Sequence, residues 1–135
     1  MGEFLMYRVR SDTKGVLFQA IFALLISSTV LWGCAETPLI GAPIEHANLQ
    51  NGTYEGSFQG GPNKALVKVT IKDNRISGIE IVEHQAWKGK KAEPIIVERI
   101  ITNQSTKVDA VSGATNSSRV IMNAVQKAIE KAYRN

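Results

Sequence analysis

Residues 64–83 read KALVKVTIKDNRISGIEIVE. Ala65, Val67, Val69 and Ile71 alternate with Lys68, Thr70 and Lys72. A period of two places one side of a strand in a core and the other in water. Asp73-Asn74 follows, a pair suited to a short hairpin turn. Residues 75–83 then form the partner strand, with Ile79 and Ile81 facing inward. The stretch predicts an antiparallel hairpin with one apolar face. What covers that face decides the fold.

Upstream, GTYEGSFQ at 52–59 alternates Tyr54, Gly56 and Phe58 against Thr53, Glu55 and Ser57, and Gly60-Gly61-Pro62 turns the chain. Three successive strands make an antiparallel meander. Tyr54 and Phe58 read as core, and the Gly60-Gly61 pair as a plain turn. Downstream lies a polar loop at 84–93. Pro94 is expected as the first residue of a helix, where its missing N–H costs nothing. Ile96, Val97, Ile100 and Ile101 repeat at helical spacing, and that helix should fade near Asn103. Val108 and its neighbours read as a short extended piece. A last helix runs from Thr115 or Asn116 to Tyr133. Val120, Ile121, Ala124, Val125, Ala128, Ile129 and Ala132 form its apolar stripe. Gln126, Lys127, Glu130, Lys131 and Arg134 are expected on the opposite side. The stripe is the missing cover. The expected fold is α+β: an antiparallel β-meander packed against a C-terminal amphipathic helix, with a second, shorter helix.

The chain has 135 residues, 44% of them hydrophobic, enough for one domain with its own core. Its net charge of +4 comes from 16 Lys and Arg against 12 Asp and Glu. The excess is spread out, and the one tight cluster, Lys88, Lys90 and Lys91, has only Trp87 beside it. That pattern argues against a nucleic-acid surface. Cys34 is the sole cysteine, which excludes an internal disulfide and a multi-cysteine metal cage. His46 and His84 lack metal-ligand spacing, so no metal site is expected.

Arg8, Arg10 and Lys14 precede VLFQAIFALLISSTVL at 16–31. A basic lead, an apolar stretch and a small-residue exit describe a secretory signal. The run is slightly short of the ~20 residues that span a bilayer. The exit, Leu31-Trp32-Gly33-Cys34, resembles the lipobox of bacterial lipoproteins, although Trp32 is bulkier than that pattern usually carries. The resemblance implies that Cys34 is lipidated and becomes the mature N-terminus. Residues 35–50, with two prolines and no sustained period, read as a tether holding the domain off the membrane.

Residues 109–118 read DAVSGATNSS, directly ahead of the last helix. A Ser or Thr there can cap the helix by accepting a backbone N–H, and Ser112 or Thr115 can serve. The composition offers more. Gly113 permits positive φ and close approach, and Ala114 adds no bulk. Ser112, Thr115, Ser117 and Ser118 supply more donors than one cap needs. The helix start adds free amides and the positive end of its dipole. Together these suit an anion the size of a phosphate. A Walker-type loop is excluded, because no Lys follows the Gly.

Asp109-Ala110-Val111-Ser112-Gly113-Ala114-Thr115, with Ser117 two further on, resembles the flavinylation motif of FMN-binding domains. The resemblance runs over residues 51–133 and includes NGTYEG, KVTIKDNRISGIEIVEH, KAEPII and the closing NAVQKAI. Such domains occur in subunits of bacterial respiratory complexes, in flavin-bearing reductases and in small lipoproteins. The resemblance implies FMN carried on Thr115 through a phosphoester, installed from FAD by a separate flavin transferase. Taken with the leader and the lipobox, the expected domain plan is a signal peptide at 1–33, a lipidated N-terminus and linker at 34–50, and an FMN-binding domain at 51–135. Together these readings imply an extracytoplasmic, membrane-anchored electron carrier with redox partner proteins. No catalytic acid–base pair is visible. A flavin-dependent reductase component and a flavin-free binding or structural lipoprotein are the rival readings.

Four further features bear on that site. Asp109 can close an Asx-turn or be read by the transferase. Trp87 can stack on the flavin ring or act as a lid over the core. His84 can hydrogen-bond the ring or take a proton, but is expected as a solvated loop residue. Lys88, Lys90 and Lys91 can favour the reduced anionic flavin or meet an acidic partner, and otherwise form a solvated run.

Overall fold

A computed structural model of the chain describes residues 37–41, 44 and 48–133. The readings placed on residues 1–36, Cys34 among them, on His46 and on Arg134 lie outside the described residues. Three strands form one antiparallel sheet in the order β1 (Gly52–Gly60), β2 (Asn63–Lys72) and β3 (Arg75–Gln85). Two helices follow, α1 (Ala92–Asn103) and α2 (Thr115–Ala132). The chain is α+β, with the meander and the amphipathic cover that the alternation called for.

The β2–β3 turn has positive φ at both Asp73 (51°) and Asn74 (57°). That is the mirror-image turn whose twist matches the flanking strands. Ala65, Val67, Val69 and Ile71 are fully or almost fully buried. They meet Val120, Ile121, Ala124, Val125, Ala128 and Ile129 of α2, all without exposure. Each such Ile or Val contributes about 1.5–3 kcal/mol through burial. Tyr54 and Phe58 pack partly buried against this core. Between them, Gly56 meets the helix backbone itself: a Cβ there would collide with Ala124 O and Ala128 N.

The β2–β3 register shifts twice, at Leu66/Val67 and at Thr70/Ile71. In the first shift Val67 pairs with Ile81 and Leu66 with Glu83, leaving Val82 as the extra residue. An extra residue reverses which side chains point inward beyond it. His84, paired with buried Ala65, therefore falls on the inner face while Glu83 and Gln85 are exposed. This corrects the expectation of a solvated loop from residue 84: the strand continues to Gln85, and the His84 side chain is 1% exposed.

α1 begins two residues earlier than expected, so Pro94 is its third residue. The first turn still needs no N–H from that position. Ala92, Ile96 and Ile100 are its buried residues, and it packs on β3 and α2. Gln104 ends α1 in the left-handed conformation. Its side-chain amide donates to Ile76 O and Ile101 O and accepts from Ile76 N at 2.8 Å. Val108 and its neighbours form no strand.

Two expectations about α2 and its surroundings are revised. Gln126 is 1% exposed rather than on the solvent side, because it accepts a 2.6 Å hydrogen bond from the buried Thr106 hydroxyl. Residues 37–41, expected within a tether, are docked along α2. Thr37 N donates to Asn116 Oδ1, Ile40 N donates to Asn123 Oδ1, and Asn123 Nδ2 donates to Pro38 O. Arg119 donates to Thr37 O. The strap is held by its backbone rather than by apolar side chains, for Leu39 and Ile40 stay exposed. Residues 49–50 join the other end of α2, where Gln50 N donates to Ala132 O.

Candidate functional site

The site is built where the chain enters α2. Ala114 N donates to Val111 O at 2.9 Å, closing a turn in which Gly113 has φ +73°. Ser118, one turn into the helix, staples that turn from beneath. Its hydroxyl accepts from Val111 N at 3.0 Å and donates to Ala114 O at 2.9 Å. Ser118 is fully buried and its hydroxyl is engaged in shaping the loop. Arg99, from α1, holds the far side by donating to Asp109 O.

Neither Ser112 nor Thr115 caps the helix. The N-cap position is Ala114, with no side-chain cap hydrogen bond among the described residues, and the first turn contains no acid. An 18-residue helix thus presents its positive end unscreened by its own side chains. The donors beyond those of a cap are real, but the backbone supplies most of them.

Above this end lies a cleft of about 280 Å³. Gly113–Ser117 form its floor, Pro62 of the β1–β2 turn and Asn63 at the start of β2 one wall, and Trp87–Gly89 the other. The Gly89 and Ser117 walls are in contact: a Cβ on Gly89 would overlap the Ser117 side chain. Trp87 is 97% exposed and so is no lid over the core. It stands at the rim with both ring faces available.

The structure brings Gly113, Ala114, Thr115, Ser117 and Trp87 to one cleft. Ser112 is exposed beside it. Asp109 borders a different, polar cavity of about 470 Å³ with Arg99 and Lys107. Its carboxylate has no hydrogen bond among the described residues, so it closes no Asx-turn there. His84 is paired through Nδ1 with Glu93 at 2.8 Å, and its Nε2 is buried without a partner. The reading from spacing missed Asn63 and Asn116. Asn116 both lines the cleft and anchors the strap at Thr37. The first residue of a strand, brought in by strand pairing, carries no local signal; an Asn one place after Thr115 does.

A phosphate fits this floor on three counts. The amides at the head of α2 lack side-chain caps, Gly113 has no Cβ to fill the approach, and a Lys91 ammonium rather than an acid stands over it.

Comparison with known proteins places this cleft in context. The family model for the FMN-binding domain matches residues 59–130, just over half of the chain. Over 91 residues, 63% of this chain, it is 35% identical to an uncharacterized protein of Treponema pallidum (strain Nichols), covering 24% of that protein. Over 88 residues, 64% of this chain, it is 31% identical to the NADH:fumarate oxidoreductase of Klebsiella pneumoniae (strain 342), covering 10% of it. The chain thus spans a quarter or less of these relatives. The matched region runs from the end of β1 through the cleft to α2, and the chain belongs to the FMN-binding domain family, with FMN as its cofactor.

Proposed function

We propose that the protein is an extracytoplasmic electron carrier whose FMN is esterified through its phosphate to Thr115 by a separate flavin transferase. One observation carries the attachment site. Thr115 is the first residue of α2, lines the cleft, and has no hydrogen-bond partner for its hydroxyl among the described residues. A capping threonine would have spent that oxygen on the backbone.

Attachment joins Thr115 Oγ1 to the flavin-side phosphorus of FAD as the pyrophosphate linkage breaks, AMP departs and the hydroxyl proton goes to a base. A threonine hydroxyl is a poor nucleophile without one. Among the described residues no histidine or carboxylate lines the cleft. His84 is buried and tied to Glu93, and Asp109 borders the other cavity. This supports an external enzyme. After attachment the phosphodiester lies at the uncapped helix end, where the dipole favours an anion by about 0.3–1 kcal/mol. Bound FMN supplies reversible one- and two-electron chemistry, which the protein tunes.

The covalent bond keeps the flavin from being lost outside the cell. Residues 16–31 and the LWGC exit support export and a lipid anchor on Cys34, with the membrane and redox proteins as partners. Two acyl chains or more make such anchoring stable. The test is co-expression with a flavin transferase, followed by denaturation, in-gel fluorescence and mass measurement. The wild type should gain FMN less one water, and Thr115→Ala should gain nothing. Fluorescence that survives Thr115→Ala places the bond elsewhere.

A second reading, a flavin-dependent reductase component, draws on the printed name of the Klebsiella relative. It requires that the loaded domain alone turn over a small acceptor with a reduced donor.

A further inference from the structure

The starts of α1 and α2 converge beside the cleft. Gly89, three residues before α1, packs against Ser117, and Lys91, the N-cap residue of α1, reaches Gly113. The Lys91 ammonium lies 3.4 Å from the position a Cβ on Gly113 would occupy. Neither helix has a side-chain cap. The acid in the first turn of α1, Glu93, is bonded to His84, and α2 has none. Lys91 itself has no ion pair among the described residues. The start of α1 thus has its own carboxylate, whereas the positive end of α2 and the Lys91 ammonium meet with no acid in the first turn of α2 and no ion pair on Lys91 among the described residues. Like charges held together oppose one another, and an anion placed between them relieves both.

We propose that Lys91 is the phosphate-binding cation of this site. It closes over the FMN phosphate from α1 while the first-turn amides of α2 hold it from below. The proposal deepens the Thr115 reading and takes the phosphate's position from it. Lys88 lines the cleft on the Trp87 wall, whereas Lys91 lies outside that lining and is the lysine whose ammonium stands beside Gly113.

The test separates phosphate from ring. Unloaded protein, made without a transferase, is titrated with FMN and with riboflavin, which lacks the phosphate, by flavin fluorescence. Wild type should bind FMN more tightly than riboflavin. Lys91→Gln should weaken FMN about tenfold, the low end for a hydrogen bond to a charged group, and leave riboflavin unchanged. Lys91→Arg should retain most of the preference, and Lys90→Gln should behave as wild type. The Lys91 effect should shrink at about 1 M salt, where the screening length is about 3 Å. In loaded protein, Lys91→Gln should also reduce the rise in Tm that attachment brings. Equal changes for FMN and riboflavin, no change for either, or no preference for FMN in the wild type overturns the proposal. Thr115→Ala in the same titration keeps the two ideas apart. It abolishes covalent mass if the ester reading holds, yet it should leave the Lys91 effect on free FMN intact.

Discussion

The middle of α2 and its first turn are built on opposite principles. From Val120 to Ala132 the helix presses against the sheet, its backbone close enough to Gly56 to exclude a methyl group. Polar residues in that stretch, Asn123 and Gln126, are buried and bonded. The first turn has no cap, no acid and an open cleft above it. One element thus supplies stability from its body and leaves its head under-satisfied. A helix whose head is anchored by its own side chains has little left to offer an anion. Here the anchoring falls to Ser118, one turn further in, which frees Thr115.

That division can be broken or sharpened by substitution. Ile121→Ala, in the fully buried body, should cost about 3–4 kcal/mol in urea unfolding, within the range for emptied core sites. Ser118→Ala leaves Val111 N–H without its acceptor and should cost about 1–3 kcal/mol. It should also lower flavin loading on Thr115, measured by intact mass, because the turn loses its staple. Thr115→Ala should change stability of the unloaded protein by no more than about 0.5 kcal/mol. A cost for Thr115→Ala comparable to that of Ile121→Ala would mean that the head of α2 is structural after all.

The parts of this arrangement that could be read in advance are those with a local period or a local composition. The β2 and β3 alternation, the α2 stripe and the 109–118 run all qualify, and they suffice for the fold and for the position of Thr115 at the head of α2. His84 was out of reach because its burial depends on the register shift at Val82, and a shift is a property of two strands rather than one. Gln126 matched the polar side of a helical wheel; it is buried because the loop carrying Thr106 folds over it. Residues 37–41 have no pattern to detect, since α2 holds them by main-chain groups through Asn116, Arg119 and Asn123. Ser118 was recognised as a polar residue of the motif, but its task, to bond Val111 and Ala114 at once, requires the turn to be closed first.

Gln104 has an effect beyond ending α1. β3 is an outer strand, and the Gln104 amide occupies both the N–H and the C=O of Ile76 near its beginning. Those groups would otherwise be a docking rail for a strand from a neighbouring molecule. A single side chain, displayed from a left-handed residue, mimics one residue of a fourth strand and stops there. Intermolecular sheet growth finds that end of the edge already blocked.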